Sequence, residues 1–132
     1  MIKATIGVIA GFLIWFVAAT LGNLLVRVLV ANYAAAEAAM AFTPPMLVAR
    51  LAVAFFSSLV AGFACSYLTR GAHRATYALS LIMLIFFLPV HYKLLAQFPI
   101  WYHVVFLCTL APLIIIGGAL HGRSQMKVID AR

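Results

Sequence analysis

Two histidines, His91 and His103, stand twelve residues apart on either side of a turn marked by Pro99, and a polar triplet, Thr20, Asn23 and Arg27, recurs at steps of three and four inside an apolar run. The histidine spacing allows both rings to sit at one depth on neighbouring antiparallel helices. Two imidazoles facing each other across an iron would make a haem site, provided each ring had an outer partner to orient it. Without a carboxylate or thiolate neighbour the same pair is a poor zinc site. The simpler expectation for His91 and His103 is a hydrogen bond to a lipid headgroup or a backbone carbonyl. No cofactor or metal is assigned, and these two are the only candidate ligands for one; His73 and His121 invite the same plain expectation.

The triplet shares one helix face by its spacing and is expected to point away from lipid. A buried cation needs a partner, and the chain has two acids, Glu37 and Asp130. Glu37 falls on the same side as Arg27 and is its natural counter-ion, whereas Asp130 belongs to the tail. Arg50, about two turns into the next long helix from that side, either shares Glu37 or binds a lipid headgroup. Asn23, Arg27, Glu37 and Arg50 therefore form the candidate polar cluster, serving substrate or structure. The plainer alternative is that both arginines snorkel to the headgroups. Because Arg27 is expected to lie deeper than Lys93, Arg27→Leu is expected to impair assembly or activity more than Lys93→Leu.

Cys65 and Cys108 fall at depths about 10 Å apart, counted at 1.5 Å per helical residue. A disulfide needs alpha carbons within about 7 Å, and there is no CxxC, so both are expected to be structural thiols. This speaks against a membrane thiol oxidoreductase of the vitamin K epoxide reductase-like kind. Tyr33, Tyr92, Trp101 and Tyr102 are expected at the headgroup level, as an aromatic belt, with Phe86 and Phe87 as lipid or packing surface. The chain has no Gly-rich phosphate loop, no Ser/His/Asp set and no paired carboxylates, so no catalytic residue is assigned.

The elements that must position these groups follow from composition. Of 132 residues, 67% are hydrophobic and 8% charged, more apolar surface than so small a soluble fold can hide. A bilayer crossing takes about 20 apolar helical residues, and four such stretches, about 6–30, 44–69, 74–95 and 100–120, use most of the chain. The expected fold is an all-α integral membrane protein, a four-transmembrane-helix bundle, with residues 1–132 forming a single membrane domain. The first stretch, with Lys3 before it and Val17-Ala18-Ala19 within it, imitates a signal peptide but runs too long for one; a retained helix that directs insertion is expected. The segment 34–40 either extends helix 1 or lies as a short interfacial helix, with Tyr33, Met40 and Phe42 as anchors. Thr43 and Pro44 predict a capped helix start, Arg70-Gly71 a helix end, Pro89 a kink near Ile85, and His121-Gly122 the end of the last helix.

Lys3, Arg70, Arg74, Arg123, Lys127 and Arg132 fall on one side of these helices, and Arg27, Arg50 and Lys93 on the other. The excess puts both termini and the turn between the second and third spans in the cytoplasm. Basic residues at helix ends set topology and meet anionic lipid, so the formal charge of +7 is no sign of nucleic-acid binding. Membrane helices associate by close packing of small residues. Gly7 and Gly11 on helix 1, facing Ala54, Ser58, Ala61, Gly62 and Cys65, point to a tight pair of the first two spans.

Three functions fit. A small accessory or scaffold subunit of a larger assembly in the bacterial cytoplasmic (inner) membrane, or a homo-oligomer, suits a chain with few polar interior groups. A small oligomeric transporter is the alternative; the small multidrug exporters are similar in size but rely on a carboxylate in the first helix, where this chain has Asn23 and Arg27. Arg27 and Arg50 would favour an anionic or lipid-like substrate instead. A haem- or metal-binding membrane protein using His91 and His103 is the third. Membrane lipids and other membrane subunits, or further copies of the chain, are the expected partners.

Overall fold

A computed structural model describes the chain from residue 2 to residue 130, with side chains placed through residue 123. The side chains of Lys127, Asp130 and Arg132 lie outside the described residues. Among the described residues five helices follow in order: α1 (Ile2–Leu29), α2 (Tyr33–Ala38), α3 (Pro44–Leu68), α4 (His73–Leu94) and α5 (Ile100–Asp130). α1, α3, α4 and the Ile100–Arg123 part of α5 are long and apolar enough to cross a membrane. These four spans fit a multi-pass membrane protein.

The ends of the helices show where local chemistry ruled. α1 starts at Ile2, a turn earlier than the apolar run suggests, so Lys3 sits in its first turn. Asn32, left-handed at φ 62°, breaks the chain after α1, a conformation that asparagine tolerates; α2 is therefore a separate short helix. Thr43 does not cap α3 with its side chain. Pro44 and Pro45 occupy the first positions and carry no amide to cap. α3 ends in a turn with Arg70 and Gly71 both at positive φ, closed by the Gly71 amide donating to the Ser66 carbonyl at 2.8 Å. α5 runs past His121-Gly122 to Asp130, since one glycine inside a helix costs only about 1 kcal/mol. At 31 residues it measures about 46 Å, longer than a hydrocarbon core.

Neighbouring spans are antiparallel. Gly7 of α1 lies against Thr69 at the far end of α3, and Gly118 of α5 against Thr76 near the start of α4. The expected α1/α3 pair is present, with Gly7 and Gly11 facing the Cys65 and Ala61 carbonyls. The tightest backbone approach is between α3 and α5. A Cβ on Gly62 would run into the Ile114 carbonyl, and one on Gly117 into the Leu59 carbonyl. Successive helical residues point about 100° apart, so Ala61 serves α1 while Gly62 serves α5. The sequence stripe had placed both toward α1.

Buried hydroxyls are satisfied close to home. Ser57, Ser58, Thr69, Ser80 and Thr109 each donate to the carbonyl four residues earlier, which removes them as sources of chemistry. Ser58 also accepts the Trp15 indole Nε1–H at 3.0 Å. Trp15, Phe87 and Phe106 then form the aromatic middle of the core.

Gly117→Ala must push two backbones apart and is expected to lower stability by about 1–3 kcal/mol. Gly122, whose Cβ would meet nothing within 4 Å, should tolerate alanine or gain slightly. Equal unfolding midpoints for the two variants in mixed micelles would refute the α3/α5 contact.

Candidate functional site

The end of the bundle opposite the α3/α4 turn collects the polar side chains. Arg27 lies in the last turn of α1, and the Asn32 turn folds α2 back so that Tyr33 and Glu37 meet α1 and α3. Arg27 Nε donates to Glu37 Oε2 at 2.6 Å, and its Nη2 reaches the same oxygen at 2.6 Å. Arg50 Nη1 lies 3.6 Å from the other carboxylate oxygen and donates to the Tyr33 hydroxyl at 3.2 Å. That hydroxyl donates to Asn23 Oδ1 at 3.5 Å. Asn23, Arg27, Glu37 and Arg50 thus meet in one network, and Tyr33 is its bridge.

Tyr33 departs from the headgroup position expected of it. It is wholly buried, and burial pushes its phenol above the usual value despite the opposing pull of Arg50. It therefore stays a neutral donor. Arg50 stacks its guanidinium over the Phe42 ring, 4.7 Å from the centroid, and its Nε is buried without a partner. Arg27 is the shallower cation, its side chain 47% exposed against 25% for Arg50. The more enclosed arginine is the one on α3. Two arginines sharing one glutamate leave the network with a charge of +1.

Beneath the network lies a cavity of about 260 Å³. Asn23, Thr20 and Arg50 line it beside the network, Trp15, Phe16, Phe87 and Phe106 line its deeper part, and His91, Phe98 and Tyr102 complete the wall. From Asn23 to Trp15 the α1 wall rises about 12 Å. In the same lining, Thr20 on α1 is exposed and Val90 and Leu94 on α4 are half-buried. A charged head and an apolar body fit this shape together; a small hydrated ion fits only one end of it.

His91 and His103 meet in the same region. Their Nδ1 atoms are 2.7 Å apart, and both residues are buried. Neither reaches out to a headgroup, because the turn at residues 95–99 brings α4 and α5 together with the two rings facing. Two nitrogen lone pairs cannot face one another, so one ring carries its proton on Nδ1 and the other accepts it. Phe106, 4.3 Å from the His91 ring, and Tyr102, stacked at 6.0 Å, enclose the pair. His103 Nε2 is buried without a partner. An ion held between the two Nδ1 atoms by bonds of about 2.0 Å on opposite sides would need about 4 Å between them. At 2.7 Å the two Nδ1 atoms are hydrogen-bonded to each other and too close to hold one ion between them. Among the described residues no three histidine, cysteine or acidic side chains gather around a metal-sized space.

Of the other candidates, His121 is buried edge-on to Phe63 and Tyr67 and His73 is exposed. Cys65 is buried and Cys108 exposed, both free thiols. Tyr92 and Trp101 are exposed as belt residues should be, whereas Tyr102 is buried in the cavity wall. Trp15 had no assigned role, although an indole in mid-span needs an acceptor, and that need pointed inward.

Tyr33→Phe should cost about 1–3 kcal/mol of stability, because Arg50 and Asn23 lose their shared partner in a buried setting. Tyr92→Phe, on an exposed ring, should cost nothing measurable. Unfolding midpoints of the two variants decide it, and equal values would remove Tyr33 from the network. Compared with protein-family models, with curated proteins and with solved structures, the chain has no match.

Proposed function

We propose that this chain binds an anionic amphiphile in the cavity between its helices and serves as a small transporter of such a lipid-like molecule in the bacterial cytoplasmic membrane. The observation that carries this reading is the cavity's mixed lining: Arg50, in a network of net positive charge, and Asn23 on one side, and the rings of Trp15, Phe16, Phe87 and Phe106 deeper in. An acidic headgroup would pair with the Arg50 guanidinium, which lines the cavity, while the chain lies against Trp15, Phe16 and Phe87. In a site of low dielectric one such charge-assisted contact outweighs several in water.

The orientation follows the cations. Lys3, Arg70, Arg74 and Arg123 stand at the end with the α3/α4 turn, against Arg27, Arg50 and Lys93 at the other. With the first group cytoplasmic, both termini are inside and the Arg50 end of the cavity lies in the outer leaflet. A lipid-like ligand would then enter sideways along the α1/α4 seam. A green fluorescent protein fused to the C-terminus should fluoresce and an alkaline phosphatase at the same place should be inactive; the reverse pair of results would invert the topology.

An accessory role for the chain is supported by a different feature. α1 leaves a long row of apolar side chains uncovered, among them Ile6, Leu13, Val17 and Leu24, which gives a larger subunit or a second copy somewhere to pack. Partner and ligand are compatible.

Trp15 supplies the assay, in a Trp101→Phe background. Dodecanesulfonate titrated into protein in dodecyl maltoside should change Trp15 fluorescence saturably, and dodecyltrimethylammonium should not. Arg50→Gln should weaken the sulfonate about tenfold, or about 1.4 kcal/mol. Arg27→Leu should do so less, and Lys93→Leu not at all. Equal response to both surfactants, or an unaffected Arg50→Gln, would overturn the proposal.

A further inference from the structure

We propose that the buried His91–His103 pair is a proton-binding site coupled to the cavity, so that an anionic ligand enters together with a proton. This rests on the anion reading of the cavity and adds the ion to which binding is linked.

The geometry assigns the path of the proton. One Nδ1 proton already lies between the rings, 2.7 Å from nitrogen to nitrogen, and stays there. His103 Nε2 is sealed from contact, whereas His91 is itself part of the cavity wall. With its Nδ1 engaged, His91 has Nε2 left for the cavity. A proton from the aqueous side adds to that nitrogen, with His91 as the ring that donates through Nδ1. The product is an imidazolium whose charge is shared through its hydrogen bond to His103. No bond other than N–H forms and no electron changes hands.

The surroundings explain why the ligand must accompany the proton. Arg50 of α3 and Tyr102 of α5 share the cavity wall with His91, and α1 contributes only Trp15, Thr20, Asn23 and other uncharged groups. From α2, Glu37 and Tyr33 reach the site through Arg50; Glu37 is already divided between two arginines, and Lys93 of α4 is exposed. In the empty cavity the neighbouring charge is thus net positive, and a second cation at His91 is unfavourable. An anion in the cavity cancels that charge and makes the imidazolium its second counter-ion.

The test uses the full chain in dodecyl maltoside with dodecanesulfonate, whose charge does not vary with pH. Calorimetric titrations at each pH in two buffers that both hold that pH and differ in ionisation enthalpy count the protons taken up per ligand bound. Uptake approaching one proton is expected in part of the range from pH 5 to pH 8, with affinity there rising up to tenfold for each unit the pH falls. His91→Gln should bind the sulfonate with no uptake. Binding to the wild-type protein without buffer-dependent heat sinks the proton site and leaves the anion site intact, whereas absence of binding sinks both. Uptake that persists in His91→Gln and in His103→Gln would place the proton elsewhere and overturn the assignment. Should those variants fail to fold, imidazole nitrogen resonances of the wild-type protein decide: the bare nitrogen of the pair must become protonated when ligand is added, and its persistence refutes the proposal.

Discussion

The contact of α3 with α5 through Gly62 and Gly117 sets the shape of everything else in the bundle. It belongs to an uneven distribution of side-chain size. Towards the end with the α3/α4 turn, α1 offers Gly7 and Gly11, α3 offers Ala61, Gly62 and Cys65, and α5 offers Gly117 and Gly118, so backbones meet there. Towards the other end the same helices carry Trp15 and Phe16, Leu47 and Arg50, and Tyr102, His103 and Phe106. Large side chains hold helices further apart, and rigid rings fill the enlarged space imperfectly. The cavity is the remainder. It lies among aromatic residues because that is the end at which close packing was given up.

The scarcity of acid gives the cavity its sign. Among the residues whose side chains are described Glu37 is the one carboxylate, and it serves both Arg27 and Arg50. Tyr33 makes this sharing possible: it gives Arg50 a neutral oxygen to bond and donates its own hydrogen bond to Asn23 Oδ1. A buried charge with one partner removed is far more costly than the same pair replaced by apolar groups, so the network is vulnerable at its bridge as much as at its ions.

The four spans were legible because length and hydropathy alone decide whether a segment can cross a bilayer. The meeting of Arg27 with Glu37 was legible too, because steps of three and four fix a helix face and the chain has so few acids to offer. The inward turn of Tyr33, Tyr102, His91 and His103 was not. Which face of a nearly uniform apolar helix looks inward is set by small residues on its neighbours, and belt aromatics and buried aromatics have the same composition at the same depth. The pairing of Gly62 with α5 was missed for the same reason. A stripe of small residues declares that a helix is approached closely, without saying by which partner. At α5 the expected stop at Gly122 failed because a glycine ends a helix only where the chain adopts positive φ, as Gly71 does and Gly122 does not.

The two kinds of cation in this region differ in what they cost when the cavity is empty. A third arginine in place of His91 would be charged at every pH, with no second carboxylate to receive it, and its desolvation would fall on the folded state whether or not a ligand was present. A pair of imidazoles satisfies one nitrogen of each ring internally and, on the proposal above, would take up charge only when an anion supplies the compensating field. Aromatic walls suit both states, since a ring accepts a neutral imidazole by stacking and an imidazolium through its π face. On the proposed reading, permanent charge at Arg50 and conditional charge at His91 on the wall of one cavity would let the protein recognise an acidic headgroup without holding a second permanent cation that has no carboxylate to meet it.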